Sequence, residues 1–142
     1  MLAPPLLAEA GAALAVSLPD GPAVADLGTA AGAPERAVAE VADRSVLVLR
    51  GCYLALRRAV RSPLAPRIAG VVLVEEPGRS LGARDVADVL GRPVLARVPA
   101  QASIARAVDA GVLAARLPEA LARPATLLLD RLGLIDRAGR AA

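Results

Sequence analysis

Lysine, histidine, asparagine, phenylalanine and tryptophan are missing from the 142 residues. Without histidine there is no imidazole base, no imidazole metal ligand and no Ser-His triad. Without lysine there is no Schiff-base amine and no phosphate-binding ammonium, and all 17 basic side chains are arginine. The single cysteine, Cys52, excludes a disulfide framework and a Cys-rich zinc site. With no histidine to act as its base, Cys52 reads as a buried, inert thiol, which fits a reducing cytoplasm. Tyr53 is the sole aromatic residue, so Leu, Val and Ala have to fill the core. Small side chains bury little area each, and modest stability is the expectation.

What is present is 56% hydrophobic, with a mean hydropathy of +0.52, which argues against disorder. The length suits one domain, residues 1–142, with enough chain to bury a core. The bias toward Ala, Arg, Gly, Pro, Leu and Val fits a GC-rich coding sequence, so arginine in place of lysine says little about function. The first 19 residues carry one charge, Glu9, and are interrupted by Pro4, Pro5 and Pro19. The uncharged run after Glu9 is about ten residues, too short for a bilayer of roughly 30 Å, and no basic segment precedes it. A helix from Leu6 to about Val16 is the reading.

From there short apolar runs alternate with helical patterns. Ala23–Leu27, Ser45–Arg50 ("SVLVLR"), Ile68–Glu76 ("IAGVVLVEE") and Pro93–Pro99 ("PVLARVP") read as strands. Pro34–Ala42, Tyr53–Arg61, Leu81–Leu90 and Ser103–Ala110 read as helices, the last two stopped by Gly91 and Gly111. A final helical segment runs from about Ala125 to Leu132 within a tail, 118–142. Strands alternating with helices predict a three-layer α/β domain on a mostly parallel sheet of about four strands. "SVLVL" and "VVLV" are apolar at successive positions, as strands covered on both faces are. A helix ahead of the first strand is unusual for such a domain and leads us to expect a missing upstream element.

Open parallel sheets bind ligands beyond the carboxyl ends of their strands. Those ends here carry Asp26-Leu27-Gly28-Thr29, Arg50-Gly51, Glu75-Glu76 and Pro99-Ala100-Gln101. An aspartate in that position can hold Mg²⁺ through water, and a following glycine lets its amide approach a phosphate. Asp26 and Gly28 are therefore the candidate metal and cofactor-binding residues. The same Asp26 equally suits the cap of the turn that leads to Pro34. Neither G-x-x-x-x-G-K-[ST] nor G-x-G-x-x-G occurs, so no loop cradles a triphosphate. Arg50 offers a point charge there and no more.

"VADLG", "SVLVLRGCYLALRRAV", "GVVLVEEPGRSLGARDVADVLGRPVLARVP" and "SIARAVDAGVL" together resemble the second half of the MinD/ParA family of P-loop ATPases. The resemblance spans roughly Leu6 to Leu117 and is nearest to the actinobacterial CpaE-like branch, tied to pilus or secretion assembly and septum-site determination. It implies a truncated, Rossmann-like P-loop fold in which "VADLG" is a Walker-B-like strand and Asp26 a metal-water ligand. The family's P-loop, with its lysines, would precede this chain. ATP and Mg²⁺ are then expected only if a P-loop is supplied upstream or by another polypeptide, and no catalytic residue is assigned. The family often reads adenine with an asparagine on a late strand, where this chain has Glu75 and Glu76. A non-hydrolysing adaptor or spatial regulator working through a protein partner or a homo-oligomer follows; half of a divided ATPase and a Rossmann-like metabolite binder are the alternatives.

Three other features carry weaker chemistry. Arg57, Arg58 and Arg61 form a basic patch, and the net charge of +3 permits contact with DNA or an acidic partner. No aromatics are interleaved to stack on bases. Leu128, Leu132 and Ile135 share a helical face that could lie on a membrane, yet Gly133 interrupts it, and packing onto the sheet or into an interface is the simpler reading. Glu75 and Glu76 are adjacent in a strand and point to opposite faces, which rules out an acid/base pair, while Asp85 and Asp88 read as a solvated face.

Overall fold

The computed structural model describes residues 23–29 and 32–135. The chain divides into two compact units, the first ending at Ser45 and the second beginning at Val46. The helix expected over Leu6–Val16 lies outside the described residues.

In the first unit Ala23–Leu27 runs without a ladder partner, and Val24 is 95% exposed. The strand expected there is therefore not formed among the described residues. Its composition gives the reason: Val24 is its one β-branched residue, and alanine and aspartate are poor strand formers. Asp26 Oδ1 instead accepts the Gly28 amide at 2.9 Å, a local turn that competes with pairing. Gly28 sits at φ +54°, where a side chain would be strained. Helix α1, Ala33–Val41, follows, with Pro34 in its first turn, where the missing N–H costs nothing. Ser45 Oγ donates to the Ala39 carbonyl at 3.0 Å beyond its end.

The second unit is the parallel α/β domain. Strands β1 (Val46–Arg50), β2 (Gly70–Glu75) and β3 (Val94–Pro99) lie side by side in that order, all parallel. Helix α2 (Tyr53–Val60) connects β1 to β2, followed by a 3₁₀ turn at Ala65–Arg67, and α3 (Ala83–Leu90) connects β2 to β3. Helices α4 (Ala102–Asp109) and α5 (Glu119–Leu132) complete it. Gly91, at φ +62°, ends α3 in the left-handed conformation that its stop position requires. The sheet flanked by helices that the alternation predicts is present, with three strands among the described residues.

Register places Leu47 beside Val71, and Leu49 beside Leu73. These residues face α2 and α3, and the core cluster joins Leu49, Val71 and Leu73 to Leu56, Ala59, Ile68 and Val86. The core is wholly aliphatic, as the composition demands, and Tyr53 lies outside it. β2 is buried on both faces, with Val71 and Leu73 fully enclosed and Val72 nearly so. β1 is not: at the sheet's edge among the described residues, it leaves Val48 65% exposed, against the expectation of cover on both faces.

A bulge between Val71 and Val72 puts Val94 and Ala96 opposite them, leaving Leu95 without a cross-strand partner. Arg131 of α5 answers this, donating from one nitrogen to the carbonyls of Val94 at 3.1 Å and Leu95 at 2.7 Å. α5 packs along β3, and Leu128, Leu132 and Ile135 are half-buried. No helix among the described residues is long and apolar enough to cross a membrane.

Candidate functional site

The carboxyl ends of β1, β2 and β3 form one crest, the place where a parallel sheet offers its ligand site. Arg50 closes β1, Glu75 closes β2 with Glu76 next after it, and Pro99 closes β3. Whether this crest can take an anion depends on which amides and cations are still available.

Three of the amides that directly follow the strands are committed. Gly51 N–H donates to the Val74 carbonyl at 3.2 Å, which extends the ladder past β1. Ala100 N–H does the same with the Glu75 carbonyl at 2.8 Å. Cys52 N–H turns back onto the Arg50 carbonyl at 2.7 Å. Gly51 is glycine for want of space, since a Cβ there would stand 3.0 Å from the Leu81 carbonyl oxygen. Cys52 is half-buried and caps α2, its Sγ accepting the Ala55 amide at 3.5 Å. Its sulfur thus has a structural task at the helix start.

The cations are committed too. Arg50 is ion-paired to Glu76 Oε1, and Arg79 Nε reaches Glu76 Oε2 at 3.0 Å. Arg97 Nε reaches Glu75 Oε1 at 2.7 Å. Glu75 ends β2 and Glu76 follows it, and the two glutamates hold different arginines. The hydrogen bond from Arg50, followed by that from Arg79, holds the Glu76 carboxyl below its usual value of 4.5, against the opposing effect of burial. A carboxyl lowered in the fold stabilises it fully above its unfolded value, and that contribution is lost as the pH falls through the folded one. Melting temperature should therefore fall on acidification below about pH 4.5, and Glu76→Gln should flatten that part of the profile. Thermal melts of both proteins across the acid range check this; parallel acid profiles would contradict it.

Asp26 and Gly28, the sequence's metal and cofactor candidates, lie together in the exposed turn of the first unit, where the Asp26 carboxylate is bound to the Gly28 amide. That is the turn-capping geometry. The strand that would carry Asp26 to a sheet crest is absent from the described residues. Arg57, Arg58 and Arg61 are all exposed on and just after α2, and no ion pair holds them among the described residues. Asp85 is a helix cap, its Oδ2 accepting the Gly82 amide at 2.8 Å, and Asp88 is solvated, 3.9 Å from Arg84. Among the described residues no group of three or more carboxylate and thiol side chains comes together as a metal site would need.

Arg79 and Arg97 gain their roles only in the folded chain. The spacing Glu76-x-x-Arg79 could have signalled the first. The Arg97 pair depends on the register of β3 against β2, which local sequence does not specify. Two shallow clefts lie elsewhere in the second unit. One of about 550 Å³ is lined by Ser103, Arg106, Val112 and Arg116, and one of about 420 Å³ by Val94, Arg97, Arg123 and Arg131. Neither contains the crest glutamates.

Fold and crest together define a small parallel α/β domain of Rossmann-like type whose strand-end glutamates are paired with its own arginines. Comparison of the chain with protein-family models, with curated proteins and with solved structures gives no match.

Proposed function

We propose that this chain is a non-hydrolysing adaptor or spatial-regulator domain of the MinD/ParA, CpaE-like kind, acting in the cytoplasm through protein contacts in pilus or secretion assembly or septum placement. The observation that carries the non-hydrolysing part is the crest. Arg50, Arg79 and Arg97 are paired with Glu76 and Glu75, and the Gly51 and Ala100 amides belong to the ladder. A triphosphate arriving there would meet two carboxylates, in a chain without lysine. The family and process rest on the sequence resemblance of "VADLG", "CYLALRR" and "VLVEEPGRSLG".

The test is a titration of the purified chain with a fluorescent ATP analogue, with and without Mg²⁺, beside Asp26→Ala. The adaptor reading expects no saturable binding at millimolar nucleotide in either protein. Mg²⁺-dependent binding that Asp26→Ala abolishes would overturn it in favour of a divided ATPase. Mg²⁺-independent binding would favour a metabolite binder.

A further inference from the structure

We propose that the outer face of α2 docks an acidic, amphipathic segment of a partner protein, an inference that rests on the adaptor reading. At about 100° per residue, Tyr53, Arg57, Arg61, Leu54 and Arg58 fall within an arc of about 140°. The Arg61 backbone is still in the right-handed helical region, so it continues that arc. Leu56 and Ala59 lie outside the arc and are buried in the core. On the outer side Tyr53 is 71% exposed and Leu54 56% exposed.

A single exposed leucine needs no explanation. Here two large apolar side chains are interleaved with three arginines, and Arg67, also exposed, follows in the 3₁₀ turn. Elsewhere in the second unit Arg50, Arg79, Arg84 and Arg97 lie beside carboxylates, and Arg92 and Arg131 donate to backbone carbonyls. Arg57, Arg58, Arg61 and Arg67 do neither among the described residues; Arg106, Arg116 and Arg123 also do neither, but only on α2 do such arginines share one helical face with two exposed large apolar side chains, Tyr53 and Leu54. Arg57 and Arg61, four apart, repel each other along the helix. Carboxylates placed around one or two aliphatic side chains would relieve that repulsion and cover Tyr53 and Leu54 in the same contact.

This chemistry selects a protein segment over nucleic acid. Phosphates would satisfy the arginines but leave Leu54 against a charged backbone, and one aromatic supplies no stacking platform.

Because Tyr53 is the sole aromatic of the chain, tyrosine emission reports this face alone. The full chain is titrated with a synthetic helical peptide carrying glutamates around a leucine pair and no aromatic residue. A matched peptide with lysine in place of glutamate is the control, and a random-sequence DNA duplex is assayed by gel shift. The acidic peptide alone should change Tyr53 emission saturably. Arg57→Glu/Arg61→Glu should weaken that binding about tenfold or more, with the milder Arg57→Gln/Arg61→Gln in between. Leu54→Ser should weaken it as well, with circular dichroism unchanged.

A silent Tyr53, or equal binding by both arginine variants, overturns the proposal. A DNA shift tighter than the peptide response overturns it in favour of nucleic acid. An emission change that follows protein concentration without peptide overturns it in favour of a second copy of the chain. Nucleotide binding in the preceding titration would remove the adaptor reading while leaving a saturable peptide response intact, so the two failures are distinguishable.

Discussion

Gly70→Val is expected to abolish the cooperative melt of the second unit. Gly70 opens β2 and is buried, and a Cβ built on it would stand 2.5 Å from Leu95 Cγ and 2.7 Å from the Pro93 carbonyl oxygen. Neither neighbour can withdraw cheaply. The Pro93 oxygen accepts the Val71 amide at 2.9 Å, so moving it breaks the first bond between β2 and β3. Leu95 is itself 8% exposed, and its main chain is held at the bulge by Arg131. Overpacking of this kind costs about 1–3 kcal/mol for a first methyl, which is the loss expected for Gly70→Ala. Valine forces two further carbons into the same space, in a domain whose whole margin is on the order of 5–15 kcal/mol. Urea and thermal unfolding followed by circular dichroism check both variants. A Gly70→Val melt like that of the parent would mean that β2 and β3 are not packed this closely.

Leu73→Ala has the next largest expected effect, a loss of about 2–5 kcal/mol. Leu73 lies at the middle of β2, fully enclosed, between Leu49 and Arg97 in register and within the cluster that includes Leu56 and Val86. No aromatic side chain is nearby to swing into the space, so the cavity stays open and the loss should fall in the upper half of that range. Val48→Ala is the matched control. Val48 is 65% exposed on the edge strand, and its truncation should shift stability by no more than about 0.5 kcal/mol. Similar urea midpoints for the two variants would contradict the assignment of β2 as the inner strand.

The sequence makes much of this fold legible because its punctuation is strong. Three apolar runs separated by helical patterns become β1, β2 and β3, and the glycines chosen as helix stops, Gly91 and Gly111, adopt φ +62° and +65°. Ala23–Leu27 is misread because a short Ala-rich run ending in Asp-Leu-Gly resembles a strand end, while the Asp26 carboxylate favours a turn over a ladder. The last helix begins at Glu119 and not near Ala125, because packing along β3 carries it through Pro124. The site divides along the same line. Glu75 and Glu76 can be placed at the crest from sequence, but their arginine partners come from the strands on either side, β1 and β3, and from a following turn. Pairing across β2 and β3 is a matter of register, which the bulge at Val71/Val72 resets. Leu95 and Arg131 meet for the same non-local reason.

Whether the crest glutamates keep anions from the strand ends is tested most directly by comparing the parent with Glu75→Gln/Glu76→Gln in the Mg²⁺ and ATP-analogue titration. Amide side chains keep the shape and remove both negative charges, releasing Arg50, Arg79 and Arg97 to the solvent-facing edge. The account predicts that the parent shows no saturable binding and that the double variant gains weak, salt-sensitive binding that does not require Mg²⁺. Tight Mg²⁺-dependent binding by the parent, unchanged in the double variant, would contradict it.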